Sequence, residues 1–197
     1  MKNQYDLFEG VPEARRIVHE YLGVISPPKV IANKVVAQKE KAHSIIGLND
    51  ANRYSKPHLT LMNFRRIIGQ ENFVIEQTCQ ALAAERAFLV KLRGIDFFEK
   101  GRHIVNNVES SFPIKRIFGL LKRAFPSQRI RKFNPHITVA RGLSPHDFQT
   151  LQPLLPEFNF VAGFICNSIT LLRREIEFER GRVVVENYVK IHEVPLR

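Results

Sequence analysis

Pro57-His58-Leu59-Thr60-Leu61 recurs further along the chain as Pro135-His136-Ile137-Thr138-Val139. On a β-strand, side chains at positions i and i+2 share one face, so each histidine lies beside its threonine while the residues between them face the core. Proline has no N–H for a sheet and is typical of a strand start or edge. The repeat therefore predicts two strands that each present a histidine and a threonine at the rim of a cleft.

The elements around the two motifs follow one another in the same order in both halves of the chain. Periods of two and of 3.6 residues predict, in the first half, strand 21–25, helix 31–45, motif strand 57–64, helix 75–82 and strand 88–92. In the second half they predict strand 104–108, helix 114–125, the second motif strand, a helix from the cap Ser144 to Leu155, and extended segments at 160–172 and 183–191 around Gly181.

This order predicts an α+β fold that is duplicated about a pseudo-twofold axis. We expect a polar leader at 1–19, an N-terminal lobe at 20–98 and a C-terminal lobe at 99–197, each carrying one motif. The loop at 94–102 is the expected boundary. It has no Gly/Ser-rich linker, so we expect one compact unit in which the motifs face each other.

Charge and composition narrow the classes of partner. Thirty Lys and Arg against nineteen Asp and Glu leave a net charge of +11, which favours polyanions, although a solvated basic surface is the simpler alternative. Cys79 and Cys166 are far apart and have no metal-ligand spacing, which predicts reduced thiols in a cytoplasmic protein. No apolar run reaches the length of a membrane span, so no membrane partner is expected.

Two histidines beside two threonines have the chemistry of a phosphoester site. Imidazole has a pKa near about 6.5, so one histidine can be a base while the other is an acid. In-line cleavage of a phosphodiester needs both, and it needs donors such as hydroxyls on the non-bridging oxygens. Neither motif has a carboxylate within three residues to complete a zinc site, so no metal is expected. Metal ligation by both histidines, or two ordinary strand-edge histidines, are the alternatives.

Basic and aromatic residues flank the motifs. The basic ones could line a phosphate groove: Arg53, Lys56, Arg65, Arg66, Arg129, Arg131, Lys132 and Arg141. Tyr54, Phe64 and Phe133 could stack on a base, but strand aromatics are more typical of a core. The other five histidines are interpreted as surface or capping residues. There is no Gly-rich phosphate loop or dinucleotide fingerprint, so no cofactor is expected.

With His58-Leu59-Thr60-Leu61 and His136-Ile137-Thr138-Val139-Ala140-Arg141, the chain resembles the 2H phosphoesterase superfamily, and within it the bacterial 2'-5' RNA ligase-like and RNA 2',3'-cyclic phosphodiesterase branch. The resemblance spans about residues 20–193. It implies a bilobal fold with a central cleft, His58 as proton donor, and His136 as the base that activates water. It also implies that Thr60 and Thr138 hold the phosphate; Arg141 is a further candidate for phosphate binding.

The sequence thus predicts a metal-independent enzyme, expected to be a monomer, that opens 2',3'-cyclic phosphate ends of RNA or a related cyclic nucleotide to a 2'-phosphate. Ligation of a 5'-hydroxyl to the cyclic phosphate is a related reaction of the same four residues. The alternative is a non-catalytic module that uses the two-histidine cleft only to bind RNA or phosphate.

Overall fold

The computed structural model describes residues 16–98, 102–130, 132–179 and 182–197. The strands are β1 (Arg16–Ile25), β2 (Leu59–Ile67), β3 (Phe88–Phe98), β4 (His103–Val108), β5 (His136–Ala140), β6 (Val161–Cys166), β7 (Ser168–Glu179), β8 (Arg182–Val185) and β9 (Val189–Pro195). The helices are α1 (Lys29–Ile46), α2 (Asp50–Arg53), α3 (Glu71–Leu82), α4 (Phe112–Ala124) and α5 (Pro145–Leu151), and a 3-10 segment follows at Gln152–Phe158. The predicted α+β class is confirmed.

All strands belong to one antiparallel sheet in the order β6-β3-β4-β5-β2-β1-β7-β8, with β9 also paired to β7. The two motif strands, β2 and β5, are neighbours in its middle. Each half of the sheet contains strands from both halves of the sequence, since β3 pairs with β4 and β6, while β7 pairs with β1. The division of the chain at residues 98 and 99 stays a prediction.

The helices are exchanged in a reciprocal way. Helix α1 precedes the first motif strand in sequence but packs against β5, and α4 precedes the second motif strand but packs against β2. This reciprocity is what a pseudo-twofold axis between the motif strands requires. It also ties the two halves together through packing rather than through a linker.

Local sequence signals account for some element boundaries. Ser144 caps α5, since its Oγ accepts the N–H of Asp147 at 3.0 Å. The helix predicted to reach Leu155 ends at Leu151, and the 3-10 segment contains two prolines, which interrupt α-helical hydrogen bonding. Of the predicted leader 1–19, residues 16–19 lie in β1, and 1–15 lie outside the described residues. The predicted turn residue Gly181 also lies outside them, between the paired strands β7 and β8.

The core lies between the sheet and the helices. On α4, residues Ile114, Ile117 and Leu121 form a fully buried stripe at helical spacing. An aromatic stack runs from Tyr21 through Phe64 to Phe125, with ring centroids 5.5 and 4.6 Å apart. Burial of each such ring contributes roughly 2 kcal/mol, so this packing fixes β2 on its helix layer.

Candidate active site

Both motifs show the alternation that a strand imposes. Leu59 and Leu61 are fully buried, while His58 and Thr60 are half-buried. The second motif repeats this pattern, with Ile137 and Val139 fully buried and the histidine and threonine half-buried. Each motif therefore anchors its strand in the core with two apolar side chains and leaves its two polar side chains on the opposite face.

The strand register brings the motifs together. Leu59 lies directly opposite Ile137 in the antiparallel pair of β2 and β5. In an antiparallel register, His58 then lies across from Thr138, and Thr60 across from His136. Residues opposite each other in a sheet share a face, so all four polar side chains lie on one face. The structure thus places the four predicted residues in one site.

Both imidazoles are held in the same way. Nδ1 of His58 lies 2.8 Å from the carbonyl oxygen of Lys56, and Nδ1 of His136 lies 2.7 Å from that of Asn134. A carbonyl oxygen only accepts hydrogen bonds, so Nδ1 carries the hydrogen in each ring. Nε2 is then the nitrogen through which each ring can take up or release a proton.

The electrostatic surroundings of the first histidine disfavour its charge. Burial lowers the pKa of His58, the carbonyl of Lys56 opposes this, and the positive charges of Lys39, Arg141 and His136 lower it further. Lys39 and Arg141 are therefore close enough to act on the ring. In the protein without ligand, His58 is a neutral base at neutral pH.

The second histidine has a less charged environment. Burial lowers the pKa of His136, and the carbonyl of Asn134 opposes this. The ring of Phe98 packs edge-on against the imidazole, with centroids 5.1 Å apart. A third histidine, His103, is half-buried nearby, and its pKa is lowered by burial and by the charges of His136 and Arg141.

Lys39 of α1 is almost fully buried, at 1% exposure, although the charged residues Glu40 and Lys41 follow it directly. Its Nζ donates to the backbone carbonyl of Asn52 at 2.8 Å and to Oγ of Ser55 at 2.7 Å. Both acceptors are neutral. Burial and the charge of Arg141 lower the pKa of this lysine to about 8. Lys39 thus anchors the segment 52–55, which leads into the first motif, and places a positive charge near His58.

Asn52 joins the two motifs. Its side-chain oxygen accepts the N–H of Arg141 at 2.9 Å, and its Nδ2 donates to the carbonyl of Arg141 at 3.1 Å. Asn52 lies in α2, just before the first motif, and Arg141 directly follows the second. Helix α2 forms between the predicted helix 31–45 and the predicted motif strand, where the sequence pattern predicts no element. Its cap is Asn49, whose side chain accepts the N–H of Asn52 at 3.0 Å.

The structure places the predicted flanking residues in different environments. Phe64 is fully buried and Phe133 stacks on Phe118 with centroids 4.2 Å apart, so both serve packing, whereas Tyr54 is 64% exposed. Arg53 pairs with Glu40, and Arg66 donates to Ser127. Arg65 and Arg129 both pair with the buried carboxylate of Glu20. The remaining described basic residues are exposed: Lys56, Lys132 and Arg141. Arg131 lies outside the described residues.

Sequence reasoning missed Lys39, Asn52, Phe98 and the position of His103. Their contacts join residues that are far apart in the sequence, for example Asn52 with Arg141, 89 positions away. No local pattern encodes such contacts. The only signal was weak: Asn49 precedes an acidic residue, which is typical of a helix start.

The described residues contain neither a cluster of metal ligands nor a helix that could cross a membrane. Within residues 16–98, 102–130, 132–179 and 182–197, no three His, Cys, Asp or Glu side chains are grouped closely enough to hold a metal ion. In the same part of the chain, no helix combines the length and apolar character needed to cross a bilayer.

Comparisons with known proteins agree with this geometry. The sequence model of the 2'-5' RNA ligase superfamily matches residues 36–176, more than two thirds of the chain and both motifs. Curated protein sequences give no match.

Solved structures of similar fold include three from bacteria. TT0787 of Thermus thermophilus has 19% identity and a TM-score of 0.66, over 90% of this chain and 98% of that one. Escherichia coli LigT without ligand has 16% identity and a TM-score of 0.61, over 91% of this chain and 98% of that one. LigT complexed with 3'-AMP gives the same identity and coverage with a TM-score of 0.62. At these identities the likeness shows the fold, and it confirms the α+β architecture that the resemblance to 2'-5' RNA ligase-like proteins implies.

Proposed function

Because this chain belongs to the 2'-5' RNA ligase superfamily, we propose that it is a metal-independent phosphoesterase that hydrolyses the 2',3'-cyclic phosphate end of an RNA, or a related cyclic nucleotide, to a 2'-phosphate. Ligation of an RNA 5'-hydroxyl to the same cyclic phosphate is the related reaction. The observation that carries the proposal is the pairing of Leu59 with Ile137, which sets the two His-x-Thr motifs side by side on one face of the sheet.

In the proposed hydrolysis, Nε2 of His136 takes a proton from a water molecule, and the water oxygen bonds to phosphorus. The bond from phosphorus to the ribose O3' breaks in line with this attack, and Nε2 of His58 gives O3' its proton. One water is consumed and the product is a 2'-phosphomonoester. The two carbonyl contacts support this assignment, since they keep Nδ1 protonated and leave Nε2 of both rings for proton transfer.

The proton donor has to be charged before it reacts, although both histidines have lowered pKa values in the protein alone. A bound phosphate supplies the compensating charge, because a nearby anion raises the pKa of an imidazole. His58 gains most from this compensation, since it has the cations Lys39 and Arg141 beside it. We therefore propose that substrate binding raises the pKa of His58, so that this ring takes up the proton that it later donates.

Thr60 and Thr138 are proposed to hold the non-bridging oxygens, since each lies across from the histidine of the other motif. Arg141 is proposed to add a cation to the phosphate; it is exposed, and its charge acts on His58 and Lys39. The complex of LigT with 3'-AMP and the net charge of +11 support a nucleotide or RNA end as the substrate.

The test is incubation of the purified protein with a short oligoribonucleotide that ends in a 2',3'-cyclic phosphate, with and without EDTA. We expect a 2'-phosphate product that forms equally in both conditions, and that is distinguished from a 3'-phosphate by resistance to a 3'-phosphate-specific phosphatase. Activity that EDTA abolishes would contradict metal independence. Binding of the oligonucleotide without any turnover would favour the non-catalytic module instead.

A further inference from the structure

The strand that carries the first motif also carries an arginine of an unusual ion cluster. Arg65 of β2, Arg129 of the loop before β5 and Arg174 of β7 all donate to one carboxylate, that of Glu20. These three arginines are called the arginine cluster below. Glu20 has 1% exposure, so it lies beneath the guanidinium groups rather than beside them in solvent.

The register explains why these residues converge. In the three adjacent strands β2, β1 and β7, Glu20 lies directly opposite Arg65 on one side and opposite Arg174 on the other. Directly opposite residues share a face, so the cluster is built into the sheet. Arg129 joins it from the loop that leads to the second motif, where its N–H donates to the backbone carbonyl of Asn63 at 2.7 Å.

A β-bulge places the cluster on the same face as the motif. The pairing with β1 shifts by one residue on β2 between Thr60 and Met62. Leu61 and Met62 are both fully buried, and Gly23 opposite Met62 has no room for a Cβ, which would lie 2.8 Å from Cγ of that methionine. The bulge shifts the alternation by one residue, so Thr60, Asn63 and Arg65 are less buried than Leu61, Met62 and Phe64.

The charges of the cluster do not balance. Three guanidinium groups share one carboxylate, which leaves an excess of two positive charges at half-buried or exposed positions. Burial alone would raise the pKa of Glu20, but hydrogen bonds from Tyr188 and Arg174 and the charges of Arg174 and Arg65 lower it overall, so Glu20 is ionised. Its role is to orient the arginines, and the excess charge remains available to an anion.

The cluster is continuous with the candidate active site. Arg65 lies five positions after Thr60 along the strand, at most roughly 17 Å away, so a phosphate bound at one does not contact the other. Asn63 lies between them on the same face, and its side-chain oxygen is buried without a hydrogen-bond partner among the described residues. Tyr188, which donates to Glu20, lies close enough to Arg141 for that charge to act on it.

We propose that the arginine cluster is a subsite for internal phosphates of an RNA chain whose terminal phosphate lies between the two motifs. This inference rests on the proposed function for the identity of the chain. A cyclic phosphate is the 3' end of an RNA, so the next phosphates lie on its 5' side and extend away from the histidines. The site therefore selects an oligoribonucleotide over a single cyclic nucleotide.

The test measures binding rather than turnover, so that it stands apart from the proposed reaction. The probe is a 5'-fluorescein hexaribonucleotide that ends in a 2'-phosphate, and Kd is measured by anisotropy at several salt concentrations for the wild type, R129Q and R65Q. The control is R93Q, which also removes one ion-paired arginine. Arg93 lies on β3, pairs with Glu109, and has a side chain that is 66% exposed. Arg129 is the best position because its side chain is 53% exposed and two other arginines still cover Glu20.

We expect R129Q and R65Q each to raise Kd about tenfold and to reduce the slope of log K against log salt by about 0.7, the value for loss of one phosphate contact on a single strand. R93Q should change Kd by less than about twofold. The wild type should bind the hexamer more tightly than a mononucleoside 2'-phosphate competitor, and R129Q should lose most of that gain.

Equal Kd values for R129Q, R65Q and the wild type would overturn the subsite, as would an equal loss in R93Q. Displacement of the hexamer by hexaglutamate as effectively as by unlabelled RNA would overturn its assignment to RNA. Hydrolysis of an oligoribonucleotide that ends in a 2',3'-cyclic phosphate is measured in parallel with the wild type. If that reaction fails while the Kd pattern holds, the proposed function is wrong and the subsite stands.

Discussion

The two His-x-Thr motifs are alike in their local geometry and unlike in their surroundings. In both, Nδ1 of the histidine bonds the carbonyl two residues before it, and the neighbouring apolar residues are buried. Around His58, however, the pKa is lowered by burial and then by the cations Lys39 and Arg141, whereas burial alone lowers that of His136, which packs on Phe98. The pentad sets how each ring is held, and distant residues set how readily it accepts a proton.

The largest expected effect comes from replacing either histidine. H58N and H136N retain a side-chain amide near the Nδ1 position but lose Nε2, so each should reduce kcat/KM for the cyclic phosphate by about 10²- to 10⁴-fold. Initial rates with the oligoribonucleotide check this. The matched control is H146N, an exposed histidine on α5, which should retain wild-type activity. If H136N stays active while H58N does not, the two motifs do not share the chemistry.

The next effect concerns the cation beside the first motif. The pKa of Lys39 is about 8 in the folded protein and about 10.4 in the unfolded chain, so its charge opposes folding fully below pH 8. This penalty is relieved as pH rises from 8 towards 10.4, because the unfolded chain then binds more protons. The unfolding free energy of the wild type should therefore rise, relative to K39M, by up to about 3 kcal/mol over that range.

Urea unfolding at pH 7.5, 8.5 and 9.5 measures this difference. The matched control is K41M on the same helix, because Lys41 is partly exposed and pairs with Glu157 at 2.8 Å. K41M should run parallel to the wild type across the series. A constant difference between K39M and the wild type would show that the lysine does not titrate in this window.

A smaller effect is expected where the motifs are joined. N52A removes both hydrogen bonds to the backbone of Arg141, and the loss should lower the free energy of unfolding by about 1–3 kcal/mol. Activity should also fall, since the segment after the second motif loses its support. Urea unfolding and initial rates check both, with N187A, an exposed residue between β8 and β9, as control. Unchanged stability would mean that Asn52 does not couple the motifs.

The smallest effects are changes in the pKa values of the two histidines. One variant alters the environment of His58, and the other alters the environment of His136. K39M should raise the pKa of His58 and leave that of His136 in place, because the charge of the lysine acts only on the first. F98A should raise the pKa of His136 by reducing its burial. NMR titration of the imidazole Cε1 protons in both variants checks the pair of shifts. A shift of both histidines in each variant would mean that their environments are not separate.

The elements predicted from the sequence are those whose signals are local. The helical stripe of α4, the cap at Ser144 and the alternation at both motifs need only neighbouring residues, and the structure contains all three. Helix α2 has four residues, too few to show a period, and it forms through its cap and its bonds to Arg141 and Lys39. The bulge in β2 leaves no signal in the sequence, because two successive buried apolar residues are ordinary in a strand.

The bulge shows how much depends on one residue of register. On an unbroken strand, His58, Thr60 and Arg66 share a face. In the structure Arg65 occupies that face instead, opposite Glu20, and Arg66 donates to Ser127. The spacing of these residues in the sequence therefore does not predict whether Arg65 or Arg66 shares a face with His58 and Thr60.

The amino-acid sequence was sufficient for the α+β class, the two motif strands and the alternation that gives each motif one polar face, because strand alternation and helix periodicity act over a few residues. The tertiary structure placed Lys39, Asn52 and Phe98 around those side chains and gathered three arginines on Glu20. These contacts join residues far apart in the chain. They exist only once packing and sheet register are set, and it is they that give the two similar motifs different electrostatic environments.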